Sequence, residues 1–417
     1  MKTNALKIIL LAVFALSSFC FGNSAVSVTC HQRWPWNGKV DIDYVLQSEQ
    51  EEPVFNIILY GKIGEGESFR LRYLEGDGAG GIAIGAGHKK VVWDAYDQFP
   101  NTSISDMKIA LAVEEVFDDP EYLVLDLDHW TYSYADSTND TTIAVGSPSK
   151  ISQMWFRKIM PGTFLMGSTN DWPGMVYNTS EPLHSVEETK IFYISIFTTT
   201  EAQYDRIISN TQSSSCLPKT GVGYDALRGA NKGATWPSDT DHIVDHDSVI
   251  GHFRGRFDNV LHIDLPTEAQ WEMACRSRGD GTFLESGVWN DGSPRSLYDS
   301  NRKDHNLDEL GWYAGNAGGT LHEVGLKKPS LMGLYDMHGH VWEWTLDNFN
   351  NNYGLTKAQL NTTTVDPVGS RNGNNGRTRR AGSYTSNASD CRIPYRRAPM
   401  SGSTYSDYGF RFVINMF

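Results

Sequence analysis

The sequence predicts an α+β protein in which a β-sandwich precedes a loop-rich domain with little regular structure. Residues 24–135 alternate apolar and polar side chains in short runs of β-branched and aromatic types, the pattern of half-buried strands. Residues 136–152 are rich in Ser, Thr, Asn, Asp and Gly and mark a linker. Residues 153–417 show few helical patterns and are dense in Gly, Asn, Trp and Tyr. Such a domain must pack its loops on aromatic anchors or bind ions.

Residues 1–23 have the pattern of a signal peptide. Lys2 and Lys7 supply a positive start, and Ile8–Phe21 is almost wholly apolar. This run is shorter than the roughly 18 to 20 residues of a membrane-spanning helix, although an uncleaved anchor is the alternative interpretation. We therefore predict an exported protein, periplasmic, secreted or at the cell surface, with no membrane span after signal cleavage.

The charge and the cysteines limit the partners and the covalent chemistry of the chain. The net charge of −14 argues against nucleic acid and anionic membranes as partners, because both need a basic face. An oxidising compartment permits disulfides, but four cysteines allow three full pairings, which stay open. The cysteines beyond the predicted signal peptide are Cys30, Cys216, Cys275 and Cys391.

The β-rich domain is predicted from runs such as KVDIDYVL (Lys39–Leu46), VFNIILYG (Val54–Gly61) and MKIALAVEEV (Met107–Val116). Their spacing is typical of a β-sandwich of immunoglobulin or fibronectin type. The glycine run Gly76–Gly87 lacks the Gly-Lys-Ser/Thr ending of a phosphate-binding loop, so a hairpin or loop is the better interpretation.

The clearest helix signal of the chain is LPTEAQWEMACRSR, Leu265–Arg278. Thr267 and Gln270 have the spacing of a capping box, in which each side chain bonds the other residue's backbone N–H. The residues that share one face of this helix are Trp271, Ala274 and Cys275.

Five segments of the second domain together resemble a known family. They are MPGTFLMGS (Met160–Ser168), LPTEAQWEMACR (Leu265–Arg276), GLYDMHGHVWEWTLD (Gly333–Asp347), RAGSY (Arg380–Tyr384) and YGFRFV (Tyr408–Val413). In this order and spacing they resemble the formylglycine-generating enzyme family, also called the sulfatase-modifying factor domain, over about residues 155–417. The resemblance implies an irregular, loop-rich fold related to C-type lectins. It also implies copper- and oxygen-dependent oxidation of a cysteine to formylglycine, with a sulfatase or another exported polypeptide as partner.

The resemblance places the family's active site in RAGSYTSNASDCRIPYR, Arg380–Arg396. Its two active-site cysteines, which hold copper(I), fall at Ser386 and Cys391, and a serine beside the site falls at Ser383. Soft thiolates suit copper(I), whereas a hydroxyl is a hard donor with a far higher pKa. Ser386 therefore leaves the predicted copper site with one soft ligand.

The chemistry of Cys391 has two interpretations. Arg392 or Arg396 could lower the thiol pKa and make it reactive, or the thiol is a buried and inert one. A third family cysteine falls at Arg396, and its disulfide partner is kept as Cys275. Ser383 as a hydrolase nucleophile is disfavoured, because RAGSY lacks the Gly-x-Ser-x-Gly elbow.

The resemblance also implies calcium, a hard cation that takes oxygen ligands. The first predicted set is the carboxylates of Asp336 and Glu343 with the carbonyls of Gly339 and Val341. The second is the side chains of Asn301 and Asn316 with the carbonyls of Arg302 and Gly318. His338 and His340 with Glu343 could instead ligate zinc, but the set is short of a ligand and a polar turn is favoured.

Two classes of function stay open from the sequence. The first is an oxygen-dependent oxidase of protein cysteine that uses Cys391. The second is a non-catalytic, calcium-stabilised domain that binds a polypeptide or a glycan. Ser386 discriminates between them, because a working copper site needs two soft ligands. The tryptophans interpreted as core anchors, with a sugar platform as the alternative, are Trp271, Trp342 and Trp344.

Overall fold

The computed structural model describes most of the chain with gaps. The described residues are 9–10, 27–33, 38–48, 54–64, 66, 68–71, 74–76, 82–84, 86–99, 105–116, 121–135, 148–168, 181–209, 211–229, 244–277, 283–284, 304–368, 376–398 and 402–416. The rest of the predicted signal peptide, the predicted linker up to residue 147, and the predicted calcium ligands Asn301 and Arg302 lie outside these residues.

The chain divides into two compact units. The first consists of Met1–Pro120 with two short later segments, and the second of Glu121–Arg256 and Ile263–Asn415. The division falls before the predicted boundary at residue 135, because Tyr122–Asp126 and Thr131–Ala135 form a hairpin that pairs with Gln153–Ile159 of the second unit.

The first unit is built from strands, as predicted. Its elements are β1 (Ile9–Leu10), β2 (Ser27–Gln32), β3 (Lys39–Leu46), β4 (Val54–Ile63), β5 (Ser68–Arg70), β6 (Leu74–Gly76), β7 (Ile82–Ile84), β8 (Gly87–Asp94), the short helix α1 (Ala95–Gln98) and β9 (Ser105–Val116). One sheet has the order β1-β9-β4-β5 with β7 also on β4, and the other has the order β2-β3-β8-β6. Alternate residues of β3 and β4, such as Ile42 and Ile57, are buried in one common core. The immunoglobulin or fibronectin assignment stays a prediction.

The second unit combines several small sheets with short helices, which gives the mixed α and β content expected. Its strands are β10 (Tyr122–Asp126), β11 (Thr131–Ala135), β12 (Gln153–Ile159), β13 (Gly162–Met166), β14 (His184–Glu188), β15 (Phe192–Ser195), β16 (Ile263–Asp264), β17 (Gly311–Trp312), β18 (His338–Gly339), β19 (Trp342–Asn348), β20 (Thr364–Val365), β21 (Arg377–Arg380), β22 (Tyr408–Gly409) and β23 (Val413–Asn415). Its helices are α2 (Glu201–Ser209), α3 (Tyr224–Arg228), α4 (Val249–Arg256), α5 (Glu268–Arg276) and α6 (His305–Leu310), with single 3-10 turns at Pro148–Lys150, Asn351–Gly354, Gln359–Asn361 and Ala388–Cys391.

A six-stranded antiparallel sheet forms the largest layer of this unit, in the order β11-β10-β12-β15-β23-β16. A three-stranded sheet, β21-β19-β22, includes parts of three of the five segments that carry the family resemblance, Gly333–Asp347, Arg380–Tyr384 and Tyr408–Val413. Among the described residues, no helix has the length and apolar character needed to cross a membrane.

Helix α5 begins as the sequence predicts. Thr267 accepts a hydrogen bond from the backbone N–H of Gln270, and the Gln270 side chain accepts one from the backbone N–H of Thr267. All nine residues of α5 are buried, not only the apolar face. Its charged residues therefore need partners inside the protein.

Candidate functional site

A sharp turn after β21 opens the segment in which the active site is predicted. Ala381 and Gly382 have φ of 81° and 79°, a left-handed conformation that a residue with a Cβ adopts at a cost. The carbonyl of Ala381 accepts a hydrogen bond from the Gly339 N–H at 2.6 Å. The turn therefore fixes the start of the segment against β18.

Three hydroxyls and one carboxylate form a connected group, which we call the hydroxyl cluster: Ser383, Thr385, Ser386 and Asp407. Ser383 Oγ donates to Asp407 Oδ2 at 2.8 Å, and Thr385 Oγ1 donates to the same oxygen at 3.1 Å. Ser386 Oγ lies 3.0 Å from Ser383 Oγ and accepts from the Ser383 N–H at 3.1 Å. The position that the resemblance assigns to a thiolate is thus an oxygen engaged in a hydrogen-bond network.

Cys391 has no exposed surface and fills a slot between two glycines. A Cβ on Gly382 would lie 2.7 Å from Cys391 Sγ, and a Cβ on Gly339 would lie 3.3 Å from it. Burial raises the pKa of the Cys391 thiol well above its ordinary value, and the negative charges of Asp390 and Asp304 act in the same direction. The thiol is therefore protonated and inaccessible at neutral pH.

The two arginines that follow Cys391 in the sequence form ion pairs with glutamate side chains. Arg392 forms two hydrogen bonds with the Glu181 carboxylate, at 3.0 and 2.9 Å. Arg396 binds the Glu268 carboxylate, with its Nε donating at 2.8 Å. The raised pKa of the thiol has no arginine among its causes, so these contacts favour the interpretation of a buried, inert Cys391. One protonated thiol among hydroxyls does not fit copper(I), which needs soft thiolate donors.

A buried ion-pair network fixes both ends of this segment to helix α5. Arg380, before the hydroxyl cluster, donates to Glu268 at 3.1 Å and also binds Glu272. Arg396, after it, binds Glu268. Cys275 is fully buried, and none of the four cysteines forms a disulfide. An ion pair therefore stands where the resemblance implies a disulfide between Cys275 and residue 396.

The first predicted calcium set contains a carboxylate whose oxygens are both engaged. Glu343 Oε2 accepts from Trp271 Nε1 and from Arg411 Nε, each at 2.7 Å, and Glu343 Oε1 accepts from Thr198 Oγ1 at 2.7 Å. The Arg411 guanidinium neutralises the charge that a calcium ion would need. This set does not fit an open calcium site unless Glu343 leaves Arg411.

Two other members of the predicted metal sets, Asp336 and Asn316, form hydrogen bonds within the protein. Asp336 Oδ2 accepts from the Gly325 N–H at 2.7 Å, and Asp336 Oδ1 lies 3.6 Å from His340 Nδ1. Gly339 and Val341 are buried in the same loop. Asn316 is bonded within its own turn, through Oδ1 to the Tyr313 N–H and through Nδ2 to the Gly311 carbonyl. Gly318 has φ of 63°.

The described residues bring together no group of three or more His, Cys, Asp and Glu side chains that could hold a metal ion. His338 Nδ1 donates to the Cys391 carbonyl at 2.8 Å, and His340 Nε2 donates to the His322 carbonyl at 2.9 Å. The two histidines thus support separate backbone segments and do not share a zinc site. The tryptophans that were interpreted as core anchors are buried, at 0%, 4% and 1% exposure for Trp271, Trp342 and Trp344.

Comparisons with known proteins agree on one family. A family model described as the sulfatase-modifying factor enzyme 1-like domain matches residues 150–416. A formylglycine-generating enzyme of Thermomonospora curvata is 32% identical over 155 residues, which are 35% of this chain and 48% of that protein. The one from Bos taurus is 26% identical over 305 residues, 64% of this chain and 75% of that protein. The chain thus spans about half the length of the Thermomonospora curvata relative.

Among solved structures, Treponema denticola variable protein 1 superposes with a TM-score of 0.46 and 20% identity, over 65% of this chain and 97% of that one.

Proposed function

We propose that this chain, which belongs to the sulfatase-modifying factor enzyme 1-like family, is an exported, non-catalytic member. It binds another polypeptide instead of oxidising one. One observation carries the proposal: Ser386 is part of the hydroxyl cluster while Cys391 is a buried, protonated thiol. The family's copper chemistry needs two accessible thiolates about five positions apart, and neither position supplies one.

The segment has the contacts that fix its shape, but it lacks the two thiolates that the family's chemistry uses. Ion pairs from Arg380 and Arg396 to α5 hold the segment in place, and Gly382 leaves room for Cys391. A rigid segment of this kind presents a fixed surface to a partner, which reduces the entropy lost on binding. Binding is therefore the use that fits this arrangement.

The alternative function is the family oxidation with Cys391 as the single thiol. Mass spectrometry of a Cys-x-Pro-x-Arg peptide, incubated with the protein, copper(I) and air, separates the two. Ser386→Cys restores the second thiol, and Ser389→Cys is the matched control, because it adds a thiol to the same segment at a different spacing. We expect no aldehyde from the native protein or from Ser389→Cys.

An aldehyde formed by the native protein overturns the proposal and makes the chain an oxidase. An aldehyde from Ser386→Cys alone supports it, because the missing thiol then accounts for the lost chemistry. The same preparation tests export, since N-terminal sequencing of protein recovered outside the cytoplasm should begin after the predicted signal peptide, 1–23.

A further inference from the structure

A patch of arginine and tyrosine side chains lies beside the hydroxyl cluster. We call it the arginine–tyrosine patch: Arg379, Tyr395, Arg397, Tyr405 and Tyr408. Its members are linked by contact: the Tyr405 and Tyr408 rings are 4.9 Å apart, the Arg379 guanidinium lies 4.1 Å from the Tyr408 ring, and Arg397 Nε donates to the Tyr395 hydroxyl at 2.9 Å. The patch joins the cluster through Asp407, which precedes Tyr408.

The two guanidinium-bearing residues stand directly opposite each other. Arg379 and Arg397 form an isolated antiparallel bridge, with backbone N–H to carbonyl distances of 3.0 and 3.2 Å. Side chains of directly opposed residues lie on one face, and like charges in that position are destabilising. Within the part of the chain that the structure describes, neither side chain forms an ion pair with a carboxylate, and Arg379 Nε and Nη1 have no hydrogen-bond acceptor.

Arg379 is held in place by two rings, whereas Arg397 is exposed and bonds the Tyr395 hydroxyl. Arg379 is stacked between the rings of Trp342 and Tyr408, at 4.2 and 4.1 Å. Burial lowers the pKa of Arg379, and the positive charge of Arg397 adds to this, while Tyr408 and the Asp407 carboxylate act in the opposite direction. Because the two rings already hold the Arg379 guanidinium, it loses little side-chain entropy when an anion binds.

We propose that the arginine–tyrosine patch binds an acidic segment of another polypeptide, whose carboxylates meet Arg379 and Arg397 and whose neighbouring apolar or aromatic side chain packs on Tyr405. The inference rests on the proposed function and names its ligand. Guanidinium and carboxylate match as fork to fork. Tyr405 is 61% exposed, and exposed Tyr and Arg together are typical of protein interfaces.

A polypeptide fits the patch better than an acidic glycan. Sugar hydroxyls need acceptors, and the carboxylate oxygen at this place, Asp407 Oδ2, already accepts two hydroxyls of the protein. Arg379 and Arg397 place two positive charges side by side in a chain of net charge −14, which is a local match for carboxylates.

Fluorescence anisotropy of a labelled poly-glutamate peptide, titrated with the mature full chain, tests the proposal. Polygalacturonate is the acidic glycan probe and poly-lysine is the charge control. Arg397→Gln is the main variant because Arg397 is exposed, so we expect its loss to leave the fold intact. Arg256→Gln is the matched control, an arginine that stacks on Trp130 at 4.9 Å outside the patch.

We expect poly-glutamate to bind with an affinity that falls as salt rises, and Arg397→Gln to weaken it about tenfold or more while Arg256→Gln leaves it unchanged. Tyr405→Ser should weaken binding to a Glu/Tyr copolymer more than binding to poly-glutamate. Equal binding by Arg397→Gln, no binding of poly-glutamate, or preference for polygalacturonate overturns the proposal. These outcomes do not depend on the aldehyde assay, which alone decides whether the domain is catalytic.

Discussion

The variant Glu343→Gln tests which of two roles the Glu343 carboxylate has. It is either the buried partner of Arg411 or a ligand of calcium. Glu343 has no exposed surface and accepts hydrogen bonds from Arg411, Trp271 and Thr198. Glutamine keeps the shape of the side chain but removes its negative charge. The guanidinium of Arg411 is then left buried without its counterion.

The magnitude follows from that burial. Removing one partner of a buried pair costs about 3–5 kcal/mol of unfolding free energy. The matched control, Glu309→Gln, removes an exposed carboxylate that pairs with Lys328 and costs about 0–1 kcal/mol. With a urea m value of about 3 kcal/mol/M, the midpoint falls by about 1–1.7 M for Glu343→Gln and by roughly 0.3 M or less for the control.

Urea unfolding followed by tryptophan fluorescence, with and without EDTA, measures both effects. We expect the loss in Glu343→Gln to be the same in the two conditions. A loss no larger than that of Glu309→Gln refutes the ion-pair argument. A chelator effect that the native protein shows and Glu343→Gln lacks supports instead the predicted calcium set with Asp336, Gly339 and Val341.

Three further predictions concern the site and its support. Iodoacetamide at pH 8 should leave Cys391 unmodified in the folded protein, because its thiol is buried and its pKa is raised; peptide mass spectrometry that finds it alkylated before unfolding contradicts this. Gly382→Ala should lower the unfolding free energy by about 2–4 kcal/mol, because the new Cβ is strained at positive φ and clashes with the Cys391 thiol. Gly318→Ala is the control and should cost about 1 kcal/mol, because φ is also positive there but no atom lies within 4 Å. Equal losses in the two variants would show that the clash contributes nothing. Burial by itself raises the pKa of Glu272, but the surrounding guanidiniums outweigh it and hold that pKa below its ordinary value. The stability this carboxylate contributes is present above its unfolded pKa and is lost as pH falls through the folded one, so Glu272→Gln should lose less stability than the native protein between about pH 5 and pH 2 in urea titrations.

Helix α5 shows how far the sequence predicts the fold. Its capping box is a local pattern, and the structure has both hydrogen bonds of it. The burial of Glu268 and Glu272 could not be predicted, because charged residues on a helix are ordinarily its solvent face. Their partners, Arg380 and Arg396, come from a segment far along the chain, and only the tertiary fold brings them to the helix.

The candidate site shows the same limit. The sequence identifies the segment and the exchange at Ser386, since both depend on residue type and spacing. It leaves the state of Cys391 open, because burial there depends on Gly339 and Gly382 closing over the thiol. Adjacency in sequence suggests that Arg392 could activate the thiol, whereas the side chain reaches Glu181 instead. The arginine–tyrosine patch has no sequence signature, because its residues are assembled from several segments.

The position of β23 affects how the second unit folds. This strand lies between β15 and β16 in the six-stranded sheet, although it follows both by a long stretch of chain. Until Val413–Asn415 has been synthesised, β15 and β16 each keep an open edge, and open edges invite aggregation. Pairing across so large a separation is also slow. A chain that lacks residues 413–415 therefore leaves one edge of β15 and one edge of β16 unpaired in this unit.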